Sequence, residues 1–242
     1  MRDWRNTNAY AFAAFLTREQ WAWEFLRRNP DYRRAWTDFS ATWRDLEAAY
    51  GSPPNRNFPA WRLDPRAWVP ACTCPEGECR VDQDKVLIEC ALGARFGFHK
   101  FPPDPADDDP VGAGRLSWRE APMDLIRELG DEDLAAFGSV PAQVALGFDL
   151  SRPLRGQLEQ AKRHLQWVQR LRVRDGSVTL VSVAAMRPQW TCALRLLDAE
   201  EAGADQGLIA LICPAYPVEV LRPCAYHLRE RGYLEMLSLP EG

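Results

Sequence analysis

Tryptophan is concentrated at the start of this chain. Five of its ten tryptophans fall within the first 43 of 242 residues. They are Trp4, Trp21, Trp23, Trp36 and Trp43. Each indole buries a large apolar area and has one N–H donor to satisfy, so five of them can form the core of a small helical module. Rings lined by arginine could also stack nucleic-acid bases. Packing in a core is the interpretation that we favour.

Local signals predict two helices in this module. Thr17 and Gln20 form a capping-box pattern, which predicts a helix over 18–28. Proline at position 30 disfavours helical angles at Asn29, so the first helix should end there and a second should run from about 31 to 49. The apolar face of the second helix is given by Trp36, Phe39, Trp43 and Leu46, at i, i+3, i+7 and i+10.

The middle of the chain is acidic and less regular. Residues 69–150 carry 7 lysines and arginines against 16 aspartates and glutamates. The apolar segment 85–98 predicts one or two strands, and 123–129 predicts a short helix. The proline- and aspartate-rich segment 101–114, with three adjacent aspartates at 107–109, predicts an exposed acidic loop or linker.

A basic amphipathic helix is predicted in the C-terminal part. Pro153 is placed to open it, and it should reach about residue 171. Its apolar positions have heptad-like spacing: Leu154, Leu158, Ala161, Leu165 and Val168. Residues 152–174 carry seven positive charges against the single carboxylate of Glu159. The Asp175-Gly176 pair that follows is a hairpin signal.

The last 53 residues suggest a helix, a glycine turn and further short helices. Trp190, Leu194 and Leu197 mark one face of a helix, a turn follows at 202–204, and a short helix is expected over 208–212. Because proline costs roughly 3 kcal/mol inside a helix, the final helix is predicted to begin at Pro223 and to stop at Gly232.

Several stretches resemble one family of regulators. DWRNTNAYAF (3–12) and WAWEFLRRNPDYR (21–33) resemble the N-terminal transcriptional-regulator-like domain common in proteobacteria. FDLSRPLRGQLEQAKRHLQWVQ (148–169), ALRLLDAEEAGADQGLIALI (193–212) and RERGYLEML (229–237) resemble the C-terminal DNA-binding domain of that family. The family includes activators of type VI secretion genes and excision activators of integrative conjugative elements. The family's last helix is long and rich in Arg and Lys, and this chain departs from that pattern at Pro223.

The resemblance and the patterns together give an expected architecture. The fold class is α+β and mainly α. It comprises a small Trp-rich helical module at 1–68, an irregular acidic middle with a few strands at 69–142, and a helix-turn-helix-like DNA-binding domain at 143–242. In such domains a helix enters the major groove and its polar residues contact base edges.

The expected DNA contacts are basic residues of the C-terminal domain. Phosphate contacts are assigned first to Arg155, Lys162, Arg163 and Arg170 of the long basic helix. The remaining candidates are Arg172, Arg174, Arg222, His227, Arg229 and Arg231. On charge alone, a solvated outer face is the favoured explanation of the basic helix, and the resemblance is what favours DNA.

Cysteine provides the best metal candidate, and it is a poor one. Cys72, Cys74, Cys79 and Cys90 lie near one another in sequence, but their spacing departs from the paired pattern of structural zinc sites. An odd total of seven cysteines without an export signal favours reduced thiols. The chain has neither a nucleotide-binding glycine loop nor a catalytic constellation. We therefore expect no cofactor and no enzymatic activity.

The sequence thus predicts a cytoplasmic transcriptional regulator, most simply an activator. It should bind double-stranded DNA through its C-terminal domain as a homo-oligomer. No apolar run approaches the roughly 18–20 residues that would cross a bilayer, so no membrane partner is expected. The alternative is a protein-interaction module, an antagonist or co-regulator that retains the fold, does not bind DNA, and partners a second regulatory protein. The net charge of −4 favours that alternative.

Overall fold

The structure is a computed structural model, and it describes residues 2–74, 80–99, 101–119 and 142–242. The chain divides into two compact units. One unit combines residues 1–122 with residues 182–242, and the other is formed by residues 123–181. These boundaries differ from the division expected from sequence (1–68, 69–142 and 143–242), because the two ends of the chain share one unit. The described residues are mainly helical with one small sheet.

The N-terminal helices follow the local signals in the sequence. A 3-10 helix spans Thr7–Phe15, and α1 spans Arg18–Leu26. The predicted capping box is confirmed: the Thr17 hydroxyl accepts from the Gln20 amide, and the Gln20 side chain accepts from the Thr17 amide. Helix α2 spans Pro30–Tyr50, and the Asn29 side chain caps its first turn.

Three of the four predicted apolar residues of α2 pack into a small aromatic cluster, whereas the fourth, Trp36, is half-buried and lies outside it. Phe39, Trp43 and Leu46 are buried together with Trp61, which belongs to the short helix α3 (Phe58–Trp61). The rings of Trp43 and Trp61 meet edge to face at 5.0 Å between centroids. Core packing therefore explains Trp43, as expected, and Trp61 as well.

A three-stranded antiparallel sheet follows, in the order β1-β3-β2. Its strands are β1 (Trp68–Pro70), β2 (Arg80–Asp82) and β3 (Lys85–Leu87), and Val69 pairs with Val86. The predicted strand segment 85–98 is only partly strand, because α4 spans Ile88–Phe96. Cys90, Gly93 and Phe96 are buried at helical spacing. The apolar run in the sequence was compatible with a strand or a helix, and burial of these three residues favours the helix.

Gly97 ends α4 in the left-handed conformation, with φ of 85°. A Cβ atom at this position would collide with the Leu234 side chain. Gly97→Ala is expected to lower the free energy of unfolding by about 2–4 kcal/mol, the sum of left-handed strain and overpacking. Gly203→Ala is the matched control, because φ is 68° there but nothing lies within 4 Å. Chemical denaturation should show only about 1 kcal/mol for the control; equal losses would show that the contact with Leu234 is unimportant.

The acidic segment 101–114 is an irregular loop, as expected, with Asp108 and Asp109 exposed, but it is not a free linker. The Trp23 indole donates to the Asp107 carbonyl at 2.9 Å, and the Tyr32 hydroxyl donates to the Pro103 carbonyl at 2.5 Å. Arg27 reaches both the Pro105 carbonyl and the Asp108 carboxylate. The segment is therefore held against α1 and the start of α2. The short helix predicted at 123–129 lies outside the described residues.

The C-terminal part of the first unit is built from helices. Helix α6 spans Val183–Glu201 and α7 spans Gln206–Ile212, separated by a turn in which Gly203 has positive φ. Helix α8 spans Val218–His227, and a π-helical stretch (Leu228–Gly232) and α9 (Tyr233–Met236) continue from it. Helix α5 (Leu154–Arg174) belongs to the other unit.

The prediction that the last helix begins at Pro223 is wrong. Helical structure starts at Val218 and runs over the proline to Met236. Proline removes one backbone hydrogen bond and clashes with the preceding turn. The helix nonetheless buries one side against the core, through Leu221, Ala225, Leu228, Tyr233 and Met236. Burial of these side chains offsets the roughly 3 kcal/mol cost of the proline.

One hydrophobic core unites the two ends of the chain. The Trp21 ring of α1 meets the Trp190 ring of α6 at 5.3 Å, and Trp118 packs against Tyr233. Trp21, Phe25 and Leu194 are fully buried in the same cluster. The N-terminal module and the C-terminal helices therefore form one folding unit.

The described part of the second unit is dominated by a single helix. Helix α5 spans Leu154–Arg174 and has no buried residue. It ends at Asp175, and Gly176 follows with φ of 79°. The Asp175-Gly176 pair thus terminates a helix, and no strand flanks it among residues 142–182, so the predicted hairpin is wrong. None of the described helices is long and apolar enough to cross a membrane.

Candidate nucleic-acid interface

Helix α5 carries six lysines and arginines against the single carboxylate of Glu159. Arg155, Lys162, Arg163 and Arg170 are all exposed. At roughly 100° per residue they lie within about 100° of arc, so they form one stripe along the helix. The only carboxylate within that arc is Glu159. We call these four residues the basic stripe.

The basic stripe is free of ion pairs in the part of the chain that the structure describes. Arg163 donates to the Glu159 carbonyl at 3.4 Å, and Arg170 donates to the Gln166 carbonyl at 3.1 Å. These are contacts to the helix backbone, so both guanidinium charges remain uncompensated. Flexible, uncompensated cations along a helix are suited to contact a row of phosphates.

The last turn of α5 adds two further candidate residues. Arg172 and Arg174 lie in that turn, where positive charge is favoured by the helix dipole. Arg172 is half-buried and donates to the Gln143 carbonyl at 3.0 Å, whereas Arg174 is exposed. Arg174 therefore extends the positive surface of α5, and Arg172 fastens the helix to the segment before it.

The basic candidates of the last helix are held by carboxylates instead. Arg222 contacts Glu200 of α6 at 2.7 Å, and the same carboxylate accepts from the Tyr226 hydroxyl at 2.8 Å. Arg229 lies over the Tyr226 ring and contacts Glu230 at 3.3 Å. These charges are therefore less available to a nucleic acid than those of α5.

The solvent-facing side of the last helix has little net positive charge. His227 lies 3.2 Å from Glu235. The other exposed residues on this side include Glu219, Glu230 and Arg231. Three glutamates thus face one arginine and one histidine, a composition poorly suited to contact phosphates. The basic residues of α5 and of the last helix belong to different units.

A buried ionic network joins the N-terminal module to α6. The Arg28 guanidinium donates to both Asp198 oxygens, at 2.7 and 2.9 Å, and to Glu24 at 2.6 Å. All three side chains are at most 6% exposed. Arg28 and Asp198 lie in the two ends of the chain that carry the resemblance. We call Arg28, Glu24, Asp198 and Tyr10 the buried network.

Tyr10 completes the buried network as a neutral donor. Its hydroxyl donates to Asp198 at 2.5 Å. Burial raises the pKa of Tyr10 well above its ordinary value, and the hydrogen bond to Asp198 raises it further. The phenol thus stays protonated at any physiological pH. A second buried cation, Arg195, donates to the carbonyls of Trp4 and Ile212, which again links the two ends. Sequence patterns gave no signal for these pairings.

The cysteines do not assemble into a metal site in the described residues. Cys72 and Cys74 are free thiols, Cys79 lies outside the described residues, and Cys90 is disulfide-bonded. A disulfide sulfur is not a thiolate ligand, so Cys90 drops out of the candidate set. The expectation of reduced thiols is also corrected at Cys192 and Cys213, which form a disulfide between α6 and the end of α7.

The first unit also contains a groove that no sequence pattern predicted. It encloses about 830 Å³ between α2, the sheet and α4, with Phe39, Trp68 and Ile88 on its apolar wall. Arg66 and Arg95 lie at its edge, and Arg66 is held by Asp64 at 2.7 Å. These residues come from three distant segments, so no local pattern could have revealed the groove.

Comparison with known proteins supports a regulatory class for the N-terminal module. Residues 3–63 match a family described as the proteobacterial transcriptional regulator-like domain. This match includes the 3-10 helix, α1, α2 and α3, together with Arg28 and Glu24 of the buried network. No curated protein and no solved structure matches the chain. The N-terminal module is thus similar to a transcriptional regulator domain, which suggests a regulatory role.

Proposed function

We propose that this protein is a DNA-binding transcriptional regulator that contacts the phosphate backbone of duplex DNA through α5. The basic stripe is the observation that carries the proposal. Four exposed cations lie along one side of a 21-residue helix, without ion-pair partners in the described residues. The regulator-like domain at residues 3–63 supports the regulatory part.

In this proposal, the C-terminal helices contribute less to DNA binding than α5 does. Helices α6, α7 and α8 follow one another as the helices of a helix-turn-helix domain would, with the turn at Gly203. In that arrangement α8 would be the recognition helix. Its arginines are engaged by Glu200 and Glu230. The proposal therefore places most of the binding free energy in phosphate contacts of α5, and has the protein act as a homo-oligomer, so that several such helices contribute.

A salt series tests the proposal directly. Affinity for a fragment of the gene's own upstream region is measured by gel retardation from about 50 to 200 mM salt, for the wild type and for a variant with Arg155, Lys162, Arg163 and Arg170 replaced by Gln. Each lost phosphate contact lowers the slope of log affinity against log salt by about 0.9, so the variant slope should be shallower by roughly 3–4. Its affinity at the lowest salt should fall by at least tenfold.

The control removes the same charge from elsewhere. Arg5, Arg34, Arg44 and Arg62 are exposed residues of the other unit, and replacing all four by Gln changes the net charge equally. This control should retain both slope and affinity. Absence of retardation by the wild type at about 50 mM salt, or equal losses in both variants, would contradict the proposal.

The second candidate function is a co-regulator that binds protein instead of DNA. The glutamates on the solvent-facing side of the last helix favour it, because they would repel phosphates. Chemical cross-linking in cells, followed by identification of the attached protein, separates the candidates. Capture of a second regulator by a chain that does not retard DNA would select the co-regulator.

A further inference from the structure

We infer that α5 is also a dimerisation helix, whose apolar side pairs in parallel with α5 of a second copy of this chain. The inference deepens the homo-oligomer of the proposed function and rests on that part of it alone. The surface consists of Leu154, Leu158, Ala161, Leu165 and Val168, which we call the apolar stripe.

The apolar stripe is uncovered in the described structure. Leu154, Leu158 and Leu165 are 46%, 55% and 40% exposed, and Ala161 and Val168 are half-buried. Among the described residues, 10 of the 17 large apolar side chains that are exposed fall within residues 146–181. A helix gains most of its stability in water from packing its apolar side, so α5 requires a covering surface.

The spacing of the stripe specifies what covers it. Successive members are four, three, four and three residues apart, which places them at the a and d positions of a heptad repeat. This seam, two residues in seven, is narrower than the face of three in seven that packs on a globular core. A narrow seam fits another helix of the same kind, and a second copy supplies one with matching spacing.

The charges beside the seam favour the parallel orientation. In a parallel pair, the g position of one helix meets the e position of the next heptad in the other. Gln157 then faces the partner's Lys162, and His164 faces the partner's Gln169, so no like charges meet. In an antiparallel pair the e positions face each other, and Lys162 would meet the partner's Lys162. Like charges in such positions are destabilising.

Dimerisation leaves the proposed DNA surface free. The basic stripe begins at the edge of the seam with Arg155 and Lys162 and continues to the outer side with Arg163 and Arg170. The apolar residues Leu146, Phe148 and Leu150 precede α5 and are also exposed, so they can extend the contact. The apolar stripe spans two heptads, from Leu154 to Val168, which makes a short coiled coil, and we expect a dissociation constant in the micromolar range.

Sedimentation equilibrium of the full chain without DNA tests the inference. The wild type should dimerise between about 1 and 100 µM. The double variant Leu158→Asp, Leu165→Asp should weaken association at least 100-fold, because it buries two carboxylates per chain in the seam. The matched control Gln160→Asp, Gln166→Asp adds the same charges at exposed outer positions of α5 and should associate within threefold of the wild type.

Three further variants show whether the helices make the proposed contact, independently of any loss of helical structure. Ala161→Leu adds apolar surface at a d position and should tighten association by about tenfold. Ala161→Cys should give an oxidation-induced cross-linked dimer above the level of the parent chain, because a parallel pair places the two 161 positions opposite each other, whereas Gln160→Cys should not. A monomeric wild type, or a dimer that survives the double Asp variant, would overturn the inference. Absence of the extra cross-link would overturn the parallel orientation.

The outcome is separable from that of DNA binding. A monomeric wild type that still retards DNA would contradict the dimer and leave the proposed DNA binding intact. A dimer that fails to retard DNA would contradict the proposed DNA binding and leave the dimer intact.

Discussion

Replacement of Arg28 by methionine is expected to lower the free energy of unfolding by about 3–5 kcal/mol. Methionine matches the aliphatic part of the arginine side chain and has no charge. The change removes the guanidinium, so among the described residues Asp198 keeps only the neutral Tyr10 hydroxyl as a side-chain donor and Glu24 keeps only Arg27, at 3.2 Å. Each of these carboxylates is only 3% exposed. An unpaired buried charge cannot recover its hydration, and this desolvation cost is the source of the loss.

Arg34→Met is the control for the Arg28 prediction. Arg34 pairs with Asp31 in the same helix, but their side chains are 71% and 60% exposed. A solvated pair of this kind contributes about 0–1 kcal/mol, so the control should remain near wild-type stability. Equilibrium denaturation of both variants measures the difference. A loss below about 1 kcal/mol for Arg28→Met would show that the buried network does not hold the two ends together.

Trp21→Ala is expected to cost a further 3–5 kcal/mol at a different point of the same core. The Trp21 side chain is 0% exposed and stacks on Phe25, and its ring meets the edge of Trp190. Truncation removes the contact between α1 and α6 and leaves a large cavity. Because one core joins both ends of the chain, fluorescence and circular dichroism should report a single cooperative loss of structure in the first unit.

Trp21→Phe distinguishes loss of packing from loss of the indole donor. The Trp21 Nε1 atom is buried and has no hydrogen-bond partner among the described residues. Phenylalanine retains most of the apolar volume and removes the unsatisfied donor, so the loss should be well below that of the alanine variant. Equal losses for the two variants would contradict this prediction, because the apolar volume that phenylalanine retains would then contribute nothing to the contact.

These predictions bear on how the regulator-like module is used. Residues 3–63 match a regulator domain, yet their core continues into α6 and the last helix. A fragment restricted to this module would expose Trp21 and leave Arg28 without Asp198. The regulatory role suggested by the module therefore depends structurally on the C-terminal helices.

The sequence by itself determined the local elements of this protein. Residue spacing alone predicted three of them: the Thr17 capping box, the buried face of α2, and the charge and heptad pattern of α5. They depend on helix caps and on the helical period, which act over a few residues. The helical period also fixes the side of α5 on which each residue lies. Five of the six candidate cations of α5, all except Arg172, are therefore exposed.

Tertiary structure alone decided which distant groups meet. Arg28 pairs with Asp198, and Arg222 pairs with Glu200. The segment after Leu87 is helical, and the last helix continues through Pro223. Each outcome depends on burial that residues far apart in sequence provide together. At Pro223, such burial outweighs the cost of about 3 kcal/mol that proline adds inside a helix. A short-range sequence pattern cannot predict this burial, because the residues that provide it are far apart in sequence.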